Sequence, residues 1–554
     1  MASTEVRTSE ALTREEKKIL SAASLGTIFE WYDFFLFGAL APVMAKQFFA
    51  KTDPTTGLIL ALLAFSAGFI VRPLGALVFG RLGDLVGRKY TFLATILLMG
   101  IATFLVGLLP NYESWGVAAP IVLIGLRLLQ GLAVGGEYGG AAVYVAEHAR
   151  PKRRGEFTAW IQTNGSLGLL LSLLVILGCR SSLGEEAFAQ WGWRIPYLLS
   201  IVLLVISVWI RLSMEESPAF ARLKAQGKTS KAPISEAFGR WKNLRLALIA
   251  VFGLIGAFAT LWYTSQFYAL LFLTQTLKAD PVTANLMVCV AITLATPFYV
   301  IAGVVSDRIG RKKVMIAGML LGAATLFPIF KALTHYTNPA LENALANAPV
   351  VLVTDPAACH VQFNLTGTTK FTSSCDIAKA KLAAASVNYS QEVGAPGSVA
   401  LVKVGSVEVR SFEATGLPKE AASALEKTFV AALSDAIRAA GYPLKADPAT
   451  VNKPMIVLLV FLMTVFAAMV YGPAAAVLVE LFPTRIRYTA LSLPYHLGAG
   501  WIGGSMPPSA FALVSYRGDI YFGLWYPVTI LLIAVVVGTI FLPETKDVDI
   551  HADD

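Results

Sequence analysis

Apolar residues in this chain fall into blocks of membrane-crossing length, separated by short polar joints. Leu58–Val71, Phe92–Leu109, Leu246–Phe272, Ile456–Tyr471 and Tyr526–Leu542 are examples. A helix rises ~1.5 Å per residue, so ~20 apolar residues cross a ~30 Å hydrocarbon layer. Many such blocks predict an all-α polytopic membrane protein, because a spanning helix satisfies its own backbone in lipid. A signal peptide or one buried core helix would explain a single block. Residues 1–18 are polar and lack a signal-peptide pattern, so the first span is expected to be retained.

The blocks predict twelve transmembrane helices in two sets of six. The first six start near Ile19, Gly57, Tyr90, Pro120, Gly155 and Arg194, and the last six near Leu244, Pro281, Lys313, Pro454, Tyr488 and Tyr521. The expected order is an N-tail (1–18), a six-helix bundle (19–214), a polar central loop (215–243), helices seven to nine (244–333), helices ten to twelve (454–543) and a C-tail (544–554).

Residues 334–453 break the pattern. They carry ten basic and ten acidic residues and no 20-residue apolar run. Val399–Ala414 alternates apolar and polar positions around Gly405-Ser406, a hairpin pattern. Pro418–Ala440 has helical periodicity, with Pro at its start and Gly441 after its end. The expectation is a small soluble α/β domain inserted between helices nine and ten, on the side opposite the N-tail. Cys359 and Cys375 both lie in it, and an oxidising compartment there favours a disulfide over two free thiols. Cys179 and Cys289 read as packing residues within or at the end of spans.

Composition agrees: 56% of the 554 residues are hydrophobic and 15% charged, where soluble domains carry about 25%. The net charge of +9 does not point to nucleic acid, because its distribution follows topology. Twenty-five Lys and Arg lie in the N-tail and the short loops on its side of the membrane, against six in the short loops opposite. That asymmetry places the N-tail in the cytoplasm.

Two internal repeats align the halves. Gly80-Arg-Leu-Gly83-Asp84-Leu-Val-Gly87-Arg88-Lys89 recurs 223 residues later as Gly303-Val-Val-Ser306-Asp307-Arg-Ile-Gly310-Arg311-Lys312. The stretch Glu147–Arg154 resembles Glu480–Arg485 at an offset of 333. The offsets differ by 110, the approximate size of the insertion. Parallel six-helix repeats are a transporter architecture. The G-x-x-G-D-x-x-G-R-K loop resembles the signature of the major facilitator superfamily. FEWYDFFLFG, RLLQGLAVGGEYGGAAVYVAEHA, GWRIPYLLS, EESPAF and ELFPTRIRYTALSLPYHLGAGWIGG resemble its metabolite–proton symporter branch, which includes permeases for shikimate, 2-oxoglutarate, citrate and proline or betaine. The likeness covers about Ser21–Thr334 and Pro454–Lys546; the insertion is outside it.

Glu30 and Asp33 lie ~17 and ~21 Å into a helix starting at Ile19, at mid-membrane depth. An ionised carboxylate there costs at least ~2.5 kcal/mol, so it must face a cavity, pair with a cation or take up a proton. Asp33, the deeper, is the favoured proton carrier; Glu30 and Glu137 are the others, and structural ion pairing is the competing role. Arg127 and Arg72 are the cations at span depth. A guanidinium stays charged, so Arg127 either receives a substrate carboxylate or pairs with Asp33 or Glu30. Arg72 reads first as structural. Gln162, Asn164, Trp262, Tyr263, Gln266, Tyr268, Tyr495 and His496 are candidate cavity-lining residues. Gly131, Gly135, Gly136, Gly139 and Gly140 read as a close-packing face.

The resemblance implies that Gly80, Asp84, Arg88, Asp307 and Arg311, with Glu147, Arg154, Glu480 and Arg485, form a cytoplasmic gate of charge pairs. Topology anchoring by positive charge is the plainer role. Asp84 and Asp307 could also cap the helices that follow them. No nucleotide-binding loop, metal cluster or nucleophile constellation appears, so no cofactor, metal or enzymatic activity is expected. The expectation is proton-coupled symport of a small organic acid across a bacterial inner membrane, with both termini cytoplasmic. A zwitterion of the proline or betaine type is the alternative substrate. A sensor that uses the inserted domain, or that domain's contact with a periplasmic partner, is the rival class.

Overall fold

The computed structural model describes residues 14–49, 54–150, 152–212, 225–226, 232–359 and 372–550. The N-tail through Thr13 and most of the 215–243 joining segment lie outside the described residues. The first half is built on α1 (Arg14–Ala39), α2 (Pro54–Leu85), α3 (Arg88–Leu108), α4 (Ala118–His148), α5 (Arg154–Leu183) and α6 (Arg194–Leu212). The second half begins with α7, continuous over Trp241–Thr276, then α8 (Pro281–Ile309) and α9 (Arg311–Thr337). After the insertion come α12 (Lys453–Tyr471), its continuation Ala474–Leu481, α13 (Arg487–His496), α14 (Met506–Arg517) and α15 (Trp525–Phe541).

Several starts have local causes. Pro281 opens α8 behind Asp280, whose Oδ2 accepts from Thr283 N–H at 2.8 Å. Asn452 caps α12 in the same way through Met455 N–H at 3.2 Å. Each side chain satisfies an amide that the helix leaves open, and Pro lacks one to satisfy.

Among the described residues, eight helices are long and apolar enough to cross a membrane. The count is nine if Glu185–Gly192 and Arg194–Ile210, bent by 59°, form one span. This falls short of the expected twelve. One reason is visible between α13 and α14, where Pro494 and a π-helical stretch, Leu497–Gly503, divide the segment into short pieces. Large apolar side chains face outward around the bundle: Ile70, Ile121, Leu174, Val205, Val282 and Ile540 are each more than 60% exposed. Lipid, not water, suits such a surface.

Glycine sets the closest crossings. A Cβ on Gly131 would lie 2.2 Å from the Gly68 carbonyl oxygen, and one on Gly135 would lie 2.3 Å from that of Arg72. So α2 and α4 touch backbone to backbone. The two halves meet along two related seams. In one, α2 meets α13, with Gly80 beside Thr489; in the other, α5 meets α8, with Gly155 beside Gly303.

Between α9 and α12 lies a four-stranded sheet of β1 (Val350–Thr354), β2 (Tyr389–Val393), β3 (Leu401–Val404) and β4 (Val407–Arg410), in the order β2-β1-β3-β4. β1 pairs parallel with β2 (Val350↔Tyr389) and antiparallel with β3 (Val350↔Val404). β3 and β4 form a hairpin around Gly405-Ser406. The helix α10 (Ser374–Ala384) packs on α14, and α11 (Lys419–Ala439) packs on β3 and β4. Cys359 and Cys375 are joined, their Cα atoms 5.3 Å apart. The sheet is tied to the second half through Tyr389 N–H to the Gly518 carbonyl (2.8 Å) and Ile520 N–H to Asn388 Oδ1 (2.9 Å).

Candidate functional site

Two clusters of buried polar groups lie between the halves. The first is a small central cavity. Glu30, Trp31 and Phe34 of α1, Arg72 of α2, Tyr138 of α4 and Tyr495 and His496 of α13 line it. Its volume is about 10 Å³, room for one water, so the halves are closed around it. The Arg72 guanidinium is 2% exposed and lies 4.3 Å from the ring centre of Phe34 and 4.4 Å from that of Phe69. Its Nε and Nη2 make no hydrogen bond among the described residues, and neither ring nitrogen of His496 does.

The cavity wall continues across both halves. Gln162 Nε2 donates to the Tyr138 hydroxyl at 2.9 Å, Tyr138 stacks on Tyr495 at 3.4 Å, and the hydroxyls of Tyr495 and Tyr471 are 2.9 Å apart. On another side, Phe35 stacks on Trp262 and Phe69 meets Tyr263 edge-on, one ring from each half in both pairs. Asn164 is fully buried, and neither polar atom of its amide has a hydrogen-bond partner among the described residues. Gln266 and Tyr268 are buried on α7.

The structure separates residues that sequence depth could not. Glu30 lines the central cavity, whereas Asp33 lines a second small space with Phe29, Met99 and Ser207, between α1, α3 and α6. Glu30 borders both. Arg127 lies outside the central cavity's lining. Its Nη1 donates to Gln130 Oε1 at 2.5 Å, Gln130 donates on to Thr103, and the guanidinium covers Phe37 at 4.4 Å. The cation at the cavity is Arg72, which sequence reading treated first as structural. The Glu137 side chain lies outside the described residues.

The second cluster is a charge lattice at the helix ends beside the two repeated loops, and it is reciprocal. Arg154 of the first half reaches Glu480 of the second at 2.8 Å; Arg487 of the second reaches Glu147 of the first at 2.7 Å. All four are buried. Both pairs keep the repeat offset of 333, which carries Glu147 to Glu480 and Arg154 to Arg487. Arg311 adds contacts to Asp307 (2.5 Å) and Glu480 (3.1 Å). The Arg88 side chain lies outside the described residues.

Two expectations are corrected here. The helices that follow Asp84 and Asp307 have Gly87 and Gly310 as N-caps, at φ +139° and +111°, with no side-chain cap bond among the described residues, and the two carboxylates reach across instead. They cap helices of the opposite half. Asp84 accepts from Tyr488 and Thr489 N–H at 3.3 and 2.8 Å; Asp307 accepts from Gly155 and Glu156 N–H at 2.9 and 2.8 Å. A helix N-terminus favours an anion, and the adjacent chain turns sharply at a glycine, so each carboxylate is aimed outward. The second correction concerns Arg485. It pairs with Glu236 at 2.7 Å and is 38% exposed, while Arg487 holds the lattice position.

Sequence reading missed Arg487, Tyr488 and the chain after α15. Tyr488 packs beneath Gly83, Gly139 and Gly140, and its hydroxyl donates to the Gly136 carbonyl. Beyond α15, Glu544 accepts from Arg311 N–H at 2.9 Å, Thr545 Oγ1 donates to Glu480 at 2.6 Å, and the Ile550 carbonyl accepts from Arg487 at 3.0 Å.

Comparison with known proteins agrees with this arrangement. Residues 19–239 and 428–552, well over half of the chain, match the family described as sugar (and other) transporters; residues 141–354 match MFS/sugar transport proteins. The chain is 36% identical over 336 residues to the shikimate transporter of Escherichia coli, covering 58% of this chain and 74% of that protein. It is 35% identical over 327 residues to the proline/betaine transporter of Salmonella typhimurium, covering 57% of this chain and 64%, just under two thirds, of that protein. The Escherichia coli alpha-ketoglutarate permease is 32% identical over 343 residues, 62% of this chain and 77% of that one. The proton:xylose symporter XylE shares the fold, with a TM-score of 0.60 at 16% identity over 97% of this chain and 98% of its own. The chain is therefore a multi-pass membrane protein and not an enzyme: it belongs to the sugar (and other) transporter family of the major facilitator superfamily, in its metabolite–proton symporter branch.

Proposed function

We propose that the protein takes up a small organic acid together with a proton by alternating access, through twelve spans arranged as two six-helix repeats. One observation carries this reading: a carboxylate, Glu30, and a guanidinium with unused donors, Arg72, line one closed cavity between the halves. The substrate carboxylate binds Arg72, whose charge is permanent. Glu30 loads the proton, since a carboxylate held at mid-membrane depth must pair with a cation, face a cavity or take up a proton. His496 and Tyr495 line the same cavity and complete the polar wall. Asp33 and Glu137 remain as alternative carriers, and Arg127, Gln162, Asn164, Tyr263 and Gln266 serve as its supporting shell.

The inner lattice is the cytoplasmic gate. Gly80, Asp84, Glu147, Arg154, Asp307, Arg311, Glu480 and Arg487 hold the inner ends together, and opening inward separates them; Arg88 belongs to the same gate loop as Asp84. Residues 334–453 form an accessory domain on the periplasmic side of a bacterial inner membrane, with both termini in the cytoplasm. Their hydrogen bonds to the turn after α14 support motion with the second half.

A zwitterionic solute is the second reading. Its support is the aromatic wall of Trp31, Phe34 and Tyr138, since ring faces attract quaternary ammonium groups. The test is uptake into proteoliposomes under an inward proton gradient, with labelled shikimate, 2-oxoglutarate, citrate and betaine. Organic acid uptake that collapses with the gradient and is lost in Glu30→Gln, while that variant retains exchange, is the expected result. Betaine uptake alone selects the second reading. Equal gradient-driven uptake in wild type and Glu30→Gln removes Glu30 from the coupling.

A further inference from the structure

A larger space lies far from the central cavity. It is a groove of about 890 Å³ between the sheet and the turn after α14, within the ~300–1,000 Å³ range of small-molecule sites. Lys379 of α10, Tyr389 and Gln391 of β2, Tyr516 and Arg517 at the end of α14, and Asp519 of the turn line it. The groove therefore exists only because residues 372–410 dock on the second half. The Tyr389–Gly518 hydrogen bond joins its two walls, where Gly518 has φ +76° and a Cβ would lie 2.7 Å from the Tyr389 ring.

Two cations face this space with unspent donors. Lys379 is 3% exposed, and its ammonium lies 5.7 Å from the centre of the Tyr516 ring. Among the described residues it makes no hydrogen bond and no ion pair. Arg517 is exposed and has no carboxylate within ion-pair distance among the described residues. Asp519 lines the same groove; its Oδ1 accepts from Tyr521 N–H at 2.9 Å, and it forms no ion pair with either cation among the described residues. A buried ammonium without a partner is unfavourable, and burial lowers the Lys379 pKa, opposed by the nearby Asp376. An anion in the groove would relieve that cost. The rings of Tyr389, Tyr516 and Phe522 give a carbon skeleton an apolar wall.

We propose that this groove binds a small organic carboxylate, seated between Lys379 and Arg517. The site is independent of the transport reading. Its test uses the full chain in nanodiscs and reads acetylation of Lys379 by acetic anhydride with mass spectrometry. The probes are citrate, 2-oxoglutarate, shikimate and benzoate, with inorganic phosphate and chloride at matched ionic strength. At least one carboxylate is expected to slow Lys379 acetylation about five-fold or more relative to chloride. Arg517→Gln, a change at an exposed position, should abolish that protection, and Arg72→Gln in the central cavity should leave it intact. Protection by phosphate as strong as by any carboxylate would replace the proposal with a general anion site. No protection by any acid, or a Lys379 that is never acetylated, would overturn it. Protection lost in Arg72→Gln but kept in Arg517→Gln would assign the effect to the central cavity instead.

Discussion

The central cavity and the inner lattice are both buried seams between the same two halves, yet they treat charge in opposite ways. At the inner face Glu480 accepts from Arg154, Arg311 and Thr545, and Glu147 accepts from Arg487. In the centre Arg72 rests on aromatic rings, with two nitrogens that make no hydrogen bond among the described residues. A buried pair gains most when every lone pair and proton is matched. The lattice comes close to that condition, with the Arg154 Nε left without a partner among the described residues, and it fixes a state. The cavity leaves donors open, and open buried donors call for a partner that arrives and leaves. The difference separates the parts that hold the molecule closed from the part that receives something.

The largest effect should come from unbalancing the lattice. Glu480→Gln leaves Arg154 and Arg311 facing a neutral amide, and breaking a buried pair typically costs ~3–5 kcal/mol. The inner face should open. Spin-label distances between the inner ends of α2 and α13 should shift to a longer population, and cysteines placed at the cavity's inner side should label faster. Unchanged distances would mean that the glycine seams, not the charges, hold the halves together.

Changing the cavity should have a smaller and different effect. Arg72→Gln should raise the substrate concentration for half-maximal uptake ~10–100-fold, corresponding to ~1.4–2.7 kcal/mol, and leave the inner distances as in wild type. If it opens the inner face as Glu480→Gln does, the distinction between holding and receiving fails.

Much of this was legible in the sequence. The two loops at an offset of 223 located the halves, and the helix starts followed from apolar blocks and polar joints. What stayed hidden has geometric causes. Glu30 and Asp33, three positions apart, differ by about 60° around a helix axis. That is enough to send one to the cavity and the other toward α3 and α6, and depth alone cannot tell them apart. The trans caps were hidden because Asp84 and the Thr489 amide that donates to it are 405 positions apart. Arg487 was within reach. The offset of 333 that tied Glu147 to Glu480 also carries Arg154 to Arg487, but the looser Glu, Pro and Arg likeness of the two stretches stopped two residues early, at Arg485.

Packing at the seams ranks next. Gly131→Ala would place a methyl 2.2 Å from the Gly68 carbonyl oxygen, backbone that cannot swing aside. A destabilisation of ~1–3 kcal/mol is expected, read as a lower melting temperature in detergent. Gly125→Ala, on the same helix with nothing within 4 Å, is the control and should not lower it. Equal effects at both positions would assign the loss to something other than the crossing with α2.

The smallest effect tests the correction itself. Arg485 and Arg487 are two residues apart, and both hold a carboxylate at 2.7 Å. Distance therefore predicts equal roles. Burial does not: the Arg487 side chain is 2% exposed and that of Arg485 38%. A half-exposed pair is screened by water and is worth about 0–1 kcal/mol. Arg487→Gln also gives up the Ile550 and Phe482 carbonyls and leaves Glu147 buried without its guanidinium. Arg485→Gln should thus change melting temperature and uptake little, and Arg487→Gln should open the inner face almost as far as Glu480→Gln. If Arg485→Gln proves the more damaging, the segment carrying Glu236 is part of the gate. The lattice would then extend beyond the two repeats that the offset relates.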